Sequence, residues 1–343
     1  MSEAKKHKIP LFVGGDITAL TVINNIVPRM VEAGYEPVLY FPEHKPSKKA
    51  SHPDLVKAAY FERIILNEVI YPFLEKDTKT LTKEFKSRAQ CLPPRMLAEK
   101  YKLHYEEVPD VNEPAFVERI KNDNSVFLSI SVRCFQIFKK DMIEACRSHG
   151  NFLNLHPGLL PNYRGVLSVA RAMADGQDNY GWTLHHIDEG IDTGRIVDLG
   201  AIQLNSHNTA LRETMRMACV GSKMLLQNLE KIAEGQTLVG YPQVPKEAKY
   251  FSYPTAETLD DWRENGPCLV NPDEMPEVYA DHFIKPGTKL GSKLSSALKV
   301  ATQRAIEEKG YTGNCGTDGR KPAFMDEASA RKNKGGTVSA LSA

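Results

Sequence analysis

The chain has 343 residues, of which 41% are hydrophobic and 25% are charged, a composition that predicts one large or two modest globular domains. Its 44 Lys and Arg residues against 43 Asp and Glu residues give a formal net charge of +1, which supplies no general attraction to nucleic acid or to a membrane surface. The six cysteines are scattered without metal-type or disulfide-type spacing, and no apolar run approaches the about 20 residues of a membrane span, so we expect reduced thiols and a cytoplasmic protein.

The N-terminal part of the chain has the pattern of a βαβ unit. An apolar run from Ile9 to Val13 ends at Gly14-Gly15, apolar residues then recur at helical spacing as far as Gly34, and a second apolar run extends from Pro37 to Phe41. This order predicts a right-handed crossover and a parallel sheet. The Gly-Gly turn does not match Gly-x-Gly-x-x-Gly, so the sequence gives little support to a nicotinamide or flavin cofactor.

Strands and helices continue to alternate through the middle of the chain. The patterns predict helices between residues 50 and 102, a buried strand from Ser125 to Ser131, a helix from Lys140 to Arg147, strands at Phe152 to His156, Thr183 to Ile187 and Ile196 to Leu204, and a long amphipathic helix over residues 211–232. The predicted fold class is therefore α/β, with a doubly wound, mostly parallel sheet and a C-terminal extension.

The C-terminal part of the chain divides into two segments. We predict a main domain over residues 1–240, an extension over residues 241–309 that packs on it through an aromatic segment from Tyr250 to Trp262, and a flexible tail over residues 310–343. The tail is rich in Gly, Lys, Ser and Ala and has few large apolar residues, which is a composition typical of mobile segments.

Asn154 and His156 are the first candidate functional residues. Two residues apart on a strand, they point to the same face, and Pro157-Gly158 directly after them predicts a turn at the carboxyl end of that strand, where α/β proteins bind ligands. An amide NH₂ suits a carbonyl oxygen that becomes an oxyanion. The alternatives are an asparagine that caps loop backbone and a structural histidine.

Asp192 is the third candidate and lies 36 residues after His156. The flanking Gly190 and Gly194 allow a tight bend that projects its carboxylate into a cleft, where it would orient the imidazole and collect a proton; an Asx turn is the alternative. Arg164 either binds an anionic group or bonds to carbonyls of its own loop. No cluster has the spacing expected of a metal centre, so we predict none.

The central motif resembles a known family signature. Asn154-x-His156-Pro-Gly-Leu-Leu-Pro-x-Tyr-Arg-Gly165, together with Asp192-Thr-Gly194, is similar to the signature of the 10-formyltetrahydrofolate-dependent formyltransferases, which include glycinamide ribonucleotide transformylase, methionyl-tRNA formyltransferase and sugar-amine N-formyltransferases. The resemblance is best over residues 120–205. It implies a doubly wound, Rossmann-like sheet and an enzyme of one-carbon transfer.

The resemblance also implies roles for individual residues. The family's catalytic asparagine, histidine and aspartate fall on Asn154, His156 and Asp192. The folate-binding positions fall on Leu159, Leu160 and Pro161 in the loop, on Arg133, Gln136 and Ile137 before the motif, and on Gly190. The implied formyl donor is 10-formyltetrahydrofolate.

These observations together predict an N-formyltransferase acting on an amine or hydroxylamine of a small metabolite, such as an amino sugar or an amino-acid derivative. The alternatives are a methionyl-tRNA formyltransferase, a formyltetrahydrofolate hydrolase, which in this family carries a preceding regulatory domain, and a folate-binding protein without catalysis. The expected partner is the small amine, with nucleic acid and membrane disfavoured and a homodimer allowed. The weak phosphate loop after the first strand argues against purine synthesis.

Overall fold

A seven-stranded sheet lies at the centre of the protein in a computed structural model, which describes residues 7–78 and 88–311. The strands are β1 (Lys8–Val13), β2 (Glu36–Pro42), β3 (Tyr105–Val108), β4 (Ser129–Val132), β5 (Phe152–His156), β6 (Arg164–Gly165), β7 (Asn179–His186), β8 (Ile196–Gln203) and β9 (Tyr250–Phe251). The large sheet has the order β3-β2-β1-β4-β5-β7-β8, and β6 pairs with β9 separately. The first five strands in that order are parallel and the last two are antiparallel, which confirms the predicted mostly parallel α/β fold.

Helices cover both faces of the sheet. They are α1 (Ile17–Glu32), α2 (Pro53–Ala59), α3 (Tyr71–Thr78), α4 (Pro94–Tyr101), α5 (Pro114–Asn122), α6 (Lys140–Arg147), α7 (Ser168–Ala174), α8 (Ala210–Ala233), α9 (Ala256–Asn265), α10 (Met275–Phe283) and α11 (Lys289–Lys309), with two π-helical turns at Tyr60–Ile64 and Leu66–Ile70 and 3₁₀ turns at Lys48–Ala50 and Pro245–Glu247. Leu11 of β1 packs in the core with α1 and α8, whereas its neighbour Phe12 packs with α5 and α6 on the other face. This alternation follows from the two-residue period of a strand.

The strand order reverses beside β1. The chain leaves β1 towards β2 and β3 on one side, then returns to β4 and β5 on the other. In doubly wound folds the crevice at the carboxyl ends of the strands around such a reversal is the place where ligands bind. Here Gly14, Arg133 and Pro157 follow the ends of β1, β4 and β5, so the residues singled out in the sequence lie at this edge.

The strand β4 is shorter than the sequence predicts. The predicted strand begins at Ser125, but the observed one begins at Ser129. The side chain of Asp123 accepts a hydrogen bond from the amide of Ser125 at 3.0 Å, and the amide of Val126 donates to the Asp123 carbonyl at 2.9 Å. These turn contacts hold the first part of the apolar run out of the regular ladder.

The C-terminal helices belong to the main core. Met275, Tyr279 and Phe283 of α10 are fully buried in the same cluster as β1 and α1, and Leu294 of α11 joins them. The Tyr279 hydroxyl donates a hydrogen bond to the Phe61 carbonyl. Residues 275–309 therefore pack against the N-terminal half of the chain, far away in sequence.

Packed structure extends two residues into the segment predicted as a tail. Gly310 ends α11 in a left-handed conformation, and the ring of Tyr311 lies 5.6 Å from that of Tyr60 and is 8% exposed. The remainder of the predicted tail, residues 312–343, lies outside the described residues, so its flexibility stays a prediction.

Two further expectations concern membranes and cysteines. Across residues 7–78 and 88–311, no helix combines the length and the apolar character needed to cross a membrane. Cys91, Cys134, Cys146 and Cys219 are free thiols, as expected.

Candidate active site

Asn154 and His156 lie on the same face of β5, as their spacing predicts. Leu153 and Leu155 point to the opposite face and are fully buried in the core. Because β7 runs antiparallel to β5, Asn154 stands directly opposite His185. The amide nitrogen of Asn154 lies 3.1 Å from Nε2 of His185. The strand register thus brings a second histidine into the site.

Asp192 reaches the same cluster from the loop between β7 and β8. Its Oδ2 accepts a hydrogen bond from the amide of Gly165 at 2.8 Å, and its Oδ1 lies 3.5 Å from Nδ1 of His156 and 3.6 Å from Nε2 of His185. The residue has a φ of +54°, a left-handed conformation that a non-glycine residue rarely adopts. The structure therefore brings together all three residues predicted as catalytic.

Burial and charge set the protonation of this cluster. Burial lowers the pKa of His156 below its usual value, and the neighbouring His185 adds to this effect, although the Asp192 carboxylate opposes it. Burial alone would raise the pKa of Asp192, but His156, His185 and the Gly165 amide outweigh it and hold this pKa below its usual range. A neutral imidazole beside a carboxylate is the protonation state that can accept a proton and then be stabilised as a cation.

His185 is a site residue that the sequence did not distinguish from its neighbour His186. Its Nδ1 lies 2.9 Å from the carbonyl oxygen of His186 and therefore donates a hydrogen bond to it; in the neutral ring Nε2 then accepts a hydrogen bond from the Asn154 amide. The 3.6 Å between Nε2 and Asp192 exceeds hydrogen-bond distance. Among the described residues the second amide hydrogen of Asn154 has no partner, which leaves it for a substrate oxygen.

The His185-His186 pair gave a partial signal. The sequence predicts that two successive residues on a strand face opposite ways, and His186 does point away, with Nε2 at 2.7 Å from the Leu238 carbonyl oxygen. Which of the two would face Asn154 depended on the register between β5 and β7. That register is a long-range property.

The loop after β5 covers His156. Nε2 of His156 lies 2.7 Å from the carbonyl oxygen of Tyr163, and a Cβ atom at Gly158 would come within 2.5 Å of the same nitrogen. Only glycine fits there, because any side chain would displace the imidazole. Both ring nitrogens of His156 thus face acceptors, the Tyr163 carbonyl and the Asp192 carboxylate, and these favour a protonated ring against the effect of burial.

The three predicted folate-binding residues of this loop differ in exposure. Leu160 is 4% exposed, and its amide donates to Oγ1 of Thr183 at 3.0 Å. Leu159 and Pro161 are partly exposed on the same loop. The buried Leu160 anchors the loop, and Leu159 and Pro161 are the two whose side chains remain accessible to a ligand.

Arg164 is tied to the segment that follows α8. Its Nε and Nη2 atoms donate to Oε1 of Gln243 at 3.0 Å and 2.7 Å. The side-chain amide of Gln243 in turn donates to the carbonyl oxygens of Asp192 and Gly194, both at 2.8 Å. Of the two roles left open by the sequence, this contact favours stabilisation of the loop.

The segment after β4 carries the other predicted folate-binding residues. Arg133 forms ion pairs with Asp16 at 3.0 Å and with Glu62 at 2.5 Å. The side-chain amide of Gln136 donates to two backbone carbonyls, those of Glu43 and Pro109, at 2.8 Å and 2.9 Å. Ile137 is 64% exposed. Arg133 and Gln136 therefore hold this segment in place, and Ile137 presents an apolar side chain to any ligand; their folate contacts stay predictions.

A cavity of about 380 Å³ adjoins the loop that carries Asp192. It is lined by one face of α6, including Lys140 and Arg147, and by Asp188, Glu189 and the predicted folate-binding Gly190. Asn154, His156 and Asp192 are not among its lining residues, so this cavity lies beside the candidate site and not in it. Across the part of the chain that the structure describes, no group of His, Cys, Asp and Glu side chains has the geometry of a metal site.

Comparison with known proteins gives consistent matches. A family model described as "Formyl transferase" matches residues 77–229. The methionyl-tRNA formyltransferase of Syntrophomonas wolfei is 32% identical over 219 residues, which is 63% of this chain and 68% of that protein. The methionyl-tRNA formyltransferase of Chlorobium phaeovibrioides is 29% identical over 185 residues, covering 54% of this chain and 57% of that one. The chain thus spans about two thirds of the first relative and over half of the second.

The solved structures include an N-formyltransferase from Helicobacter canadensis in complex with folinic acid and dTDP-3-aminofucose. The comparison covers 72% of this chain and 71% of that one, with a TM-score of 0.45 and 16% sequence identity.

Proposed function

Since the chain belongs to the formyltransferase family, we propose that it is an N-formyltransferase that moves the formyl group of 10-formyltetrahydrofolate to an amine or hydroxylamine of a small metabolite. The observation that carries the proposal is the convergence of Asn154, His156 and Asp192 at the carboxyl end of β5. A protein that only binds folate has no need of an amide donor, an imidazole and a carboxylate in one cluster.

The proposed reaction begins when the unprotonated amine nitrogen attacks the formyl carbon. A C–N bond forms and the carbonyl electron pair moves to oxygen, where the Asn154 amide and His156 stabilise the negative charge. The amine nitrogen loses a proton, and the departing folate nitrogen gains one as its bond to carbon breaks. Asp192 helps to relay this proton and stabilises the charged imidazole, which its position 3.5 Å from His156 supports.

The N-terminus of α1 bears on the choice of acceptor. In doubly wound folds this helix end is a frequent site for phosphate groups. Here Oδ1 of Asp16 accepts hydrogen bonds from the amides of Thr18 and Ala19 at 2.9 Å and 3.0 Å, and Arg133 closes over the same carboxylate. A carboxylate that already occupies these donors repels a second anion. This favours an acceptor that is not held by a phosphate at α1.

The C-terminal extension bears on the choice between a small amine and a tRNA. Residues 241–311 contain nine Lys and Arg residues against eleven Asp and Glu residues, which does not provide the positive surface that follows a phosphate backbone. Their main elements are the helices α9 to α11, and α10 and α11 are buried in the common core. The names of the curated relatives favour a tRNA acceptor, so methionyl-tRNA remains the second candidate.

The test is turnover with a panel of acceptors. The protein is incubated with 10-formyltetrahydrofolate and, separately, with amino sugars, amino acids, their N-hydroxylated derivatives and methionyl-tRNA, while absorbance follows tetrahydrofolate and mass spectrometry follows the product. A formylated small amine is the expected result. Formylation of methionyl-tRNA alone would select the second candidate, formate release without an amine would indicate a hydrolase, and binding without turnover would indicate a binding protein. The proposal includes the cytoplasmic location predicted from the sequence.

A further inference from the structure

The chain segment that follows α8 crosses both loops of the candidate site. Tyr241 forms a backbone bridge with Ile196 just after the Asp192 loop. Further on, the amide of Lys249 donates to the carbonyl of Pro161 at 3.1 Å, and β9 then pairs with β6 in the loop after β5. Residues 241–251, which we name the crossing segment, therefore bind one loop at each end.

Gln243 lies in the crossing segment and contacts both loops through a single side chain. Its amide nitrogen donates to the carbonyl oxygens of Asp192 and Gly194, each at 2.8 Å. Its amide oxygen accepts from the guanidinium of Arg164 at 2.7 Å and 3.0 Å. One primary amide has two N–H donors and one oxygen acceptor, and these contacts use all three.

The backbone of Asp192 requires such support. Its φ of +54° lies in the left-handed region, which is unfavourable for a residue with a Cβ atom and persists where surrounding contacts impose it. Two hydrogen bonds fix the position of Asp192: the Gly165 amide donates to its carboxylate, and the side-chain amide of Gln243 donates to its backbone carbonyl. Together they determine how far the carboxylate stands from His156.

We propose that Gln243 is a positioning residue, which holds the Asp192 loop against the loop after β5 so that the Asp192 carboxylate faces His156. Gln243 does not touch the reacting atoms. It acts through the backbone of Asp192 and through Arg164. The C-terminal extension thereby helps to position the residues of the site, in addition to packing on the core.

The kinetic test of this role rests on the proposed formyl transfer, whereas a second readout does not. The charged and titratable groups around His156 are Asp192, His185 and Arg133. Of these only Asp192 raises the pKa of the imidazole. If Gln243 holds Asp192 in place, its loss moves the carboxylate away and lowers the His156 pKa. This change is measurable by NMR titration of histidine-labelled protein without any substrate.

The experiment compares two variants and a control. Gln243→Met keeps the length of the side chain and removes every hydrogen bond, whereas Gln243→Glu keeps the acceptor for Arg164 and loses both donors. Gln236→Ala is the matched control, because Gln236 is an exposed glutamine whose side chain forms a hydrogen bond only with Glu234 among the described residues. Circular dichroism and the melting temperature establish that each variant is folded, and the glutamate variant carries the test if the methionine variant is not.

We expect both Gln243 variants to lower kcat by about 10-fold to 100-fold with KM changed less than about threefold, because misplacement of a reacting group by about 1 Å has effects of this size. We expect the His156 pKa to fall in both, with the control unchanged. Normal kcat together with an unchanged His156 pKa in both Gln243 variants would overturn the proposal. Normal kcat and an unchanged His156 pKa in Gln243→Glu alone would also overturn it, because the effect of Gln243→Met would then be due to the lost contact with Arg164. If the wild-type protein formylates no acceptor, the proposed function fails, and the titration still decides the role of Gln243.

Discussion

Two buried charge clusters lie at the carboxyl ends of neighbouring strands and differ in how tightly they are paired. Beside β1 and β4, Arg133 bonds to Asp16 at 3.0 Å and to Glu62 at 2.5 Å. Beside β5, Asp192 stands 3.5 Å and 3.6 Å from its two histidines. The arginine stays charged under all conditions, whereas the pKa of His156 is lowered by burial. The short ion pairs of Arg133 therefore stabilise the structure, whereas the longer contact between Asp192 and the titratable ring of His156 allows a proton to be transferred.

The largest expected effect tests the second cluster. In Asn154→Ala the oxyanion loses a donor, so we expect kcat to fall by about 10²–10³-fold, whereas the melting temperature changes little because Asn154 is only partly buried. Steady-state kinetics and a thermal melt of the same preparation measure both. Near-normal turnover in Asn154→Ala and in Asp192→Ala would show that this cluster is structural like the first.

The converse change tests the first cluster. Arg133→Ala leaves the fully buried Asp16 carboxylate without its cation, and removing one partner of a buried pair costs about 3 kcal/mol of unfolding free energy. Arg95→Ala is the control, because the Arg95–Glu107 pair is exposed and is expected to contribute less than about 1 kcal/mol. Urea denaturation measures both, and equal losses would contradict a special role for burial.

The pH dependence of kcat tests whether the His156 cluster titrates, in contrast to the cluster of the permanently charged Arg133. Burial lowers the pKa of His156 from its usual 6.5, so the neutral ring persists below that pH and we expect the acid limb of kcat to lie below pH 6.5. Asp192 raises this pKa, so Asp192→Asn favours the neutral ring and moves the limb to still lower pH. Recording kcat at saturating amine removes the titration of the free acceptor. A limb that moves to higher pH would refute the assignment.

The smallest expected effect concerns Arg164, which lies between a structural and a catalytic role. Because its guanidinium bonds to Gln243 and the Gln243 donors survive its removal, Arg164→Ala should raise KM for the folate or lower stability by about 1 kcal/mol, with kcat largely spared. Kinetics at varied folate concentration separate the two constants. A large fall in kcat at unchanged KM, in a folded protein, would place Arg164 among the catalytic groups.

The local spacing of apolar residues in the sequence predicted much of the fold. The βαβ opening, the helix from Lys140 to Arg147 and the strand from Phe152 to His156 appear where apolar spacing predicts them. The predicted start of β4 at Ser125 was wrong because a turn at Asp123 competes with the strand that the apolar run predicts.

The sequence by itself determined that Asn154 and His156 share a face, since a strand alternates its side chains regardless of what surrounds it. It also limited the pair His185-His186 to one inward member. Only the tertiary structure decided which one, through the register of β5 against β7, and only it brought Gln243 to the carbonyl of Asp192 across 51 residues of chain. Contacts of this kind depend on how whole elements pack together, and no short stretch of sequence carries that information.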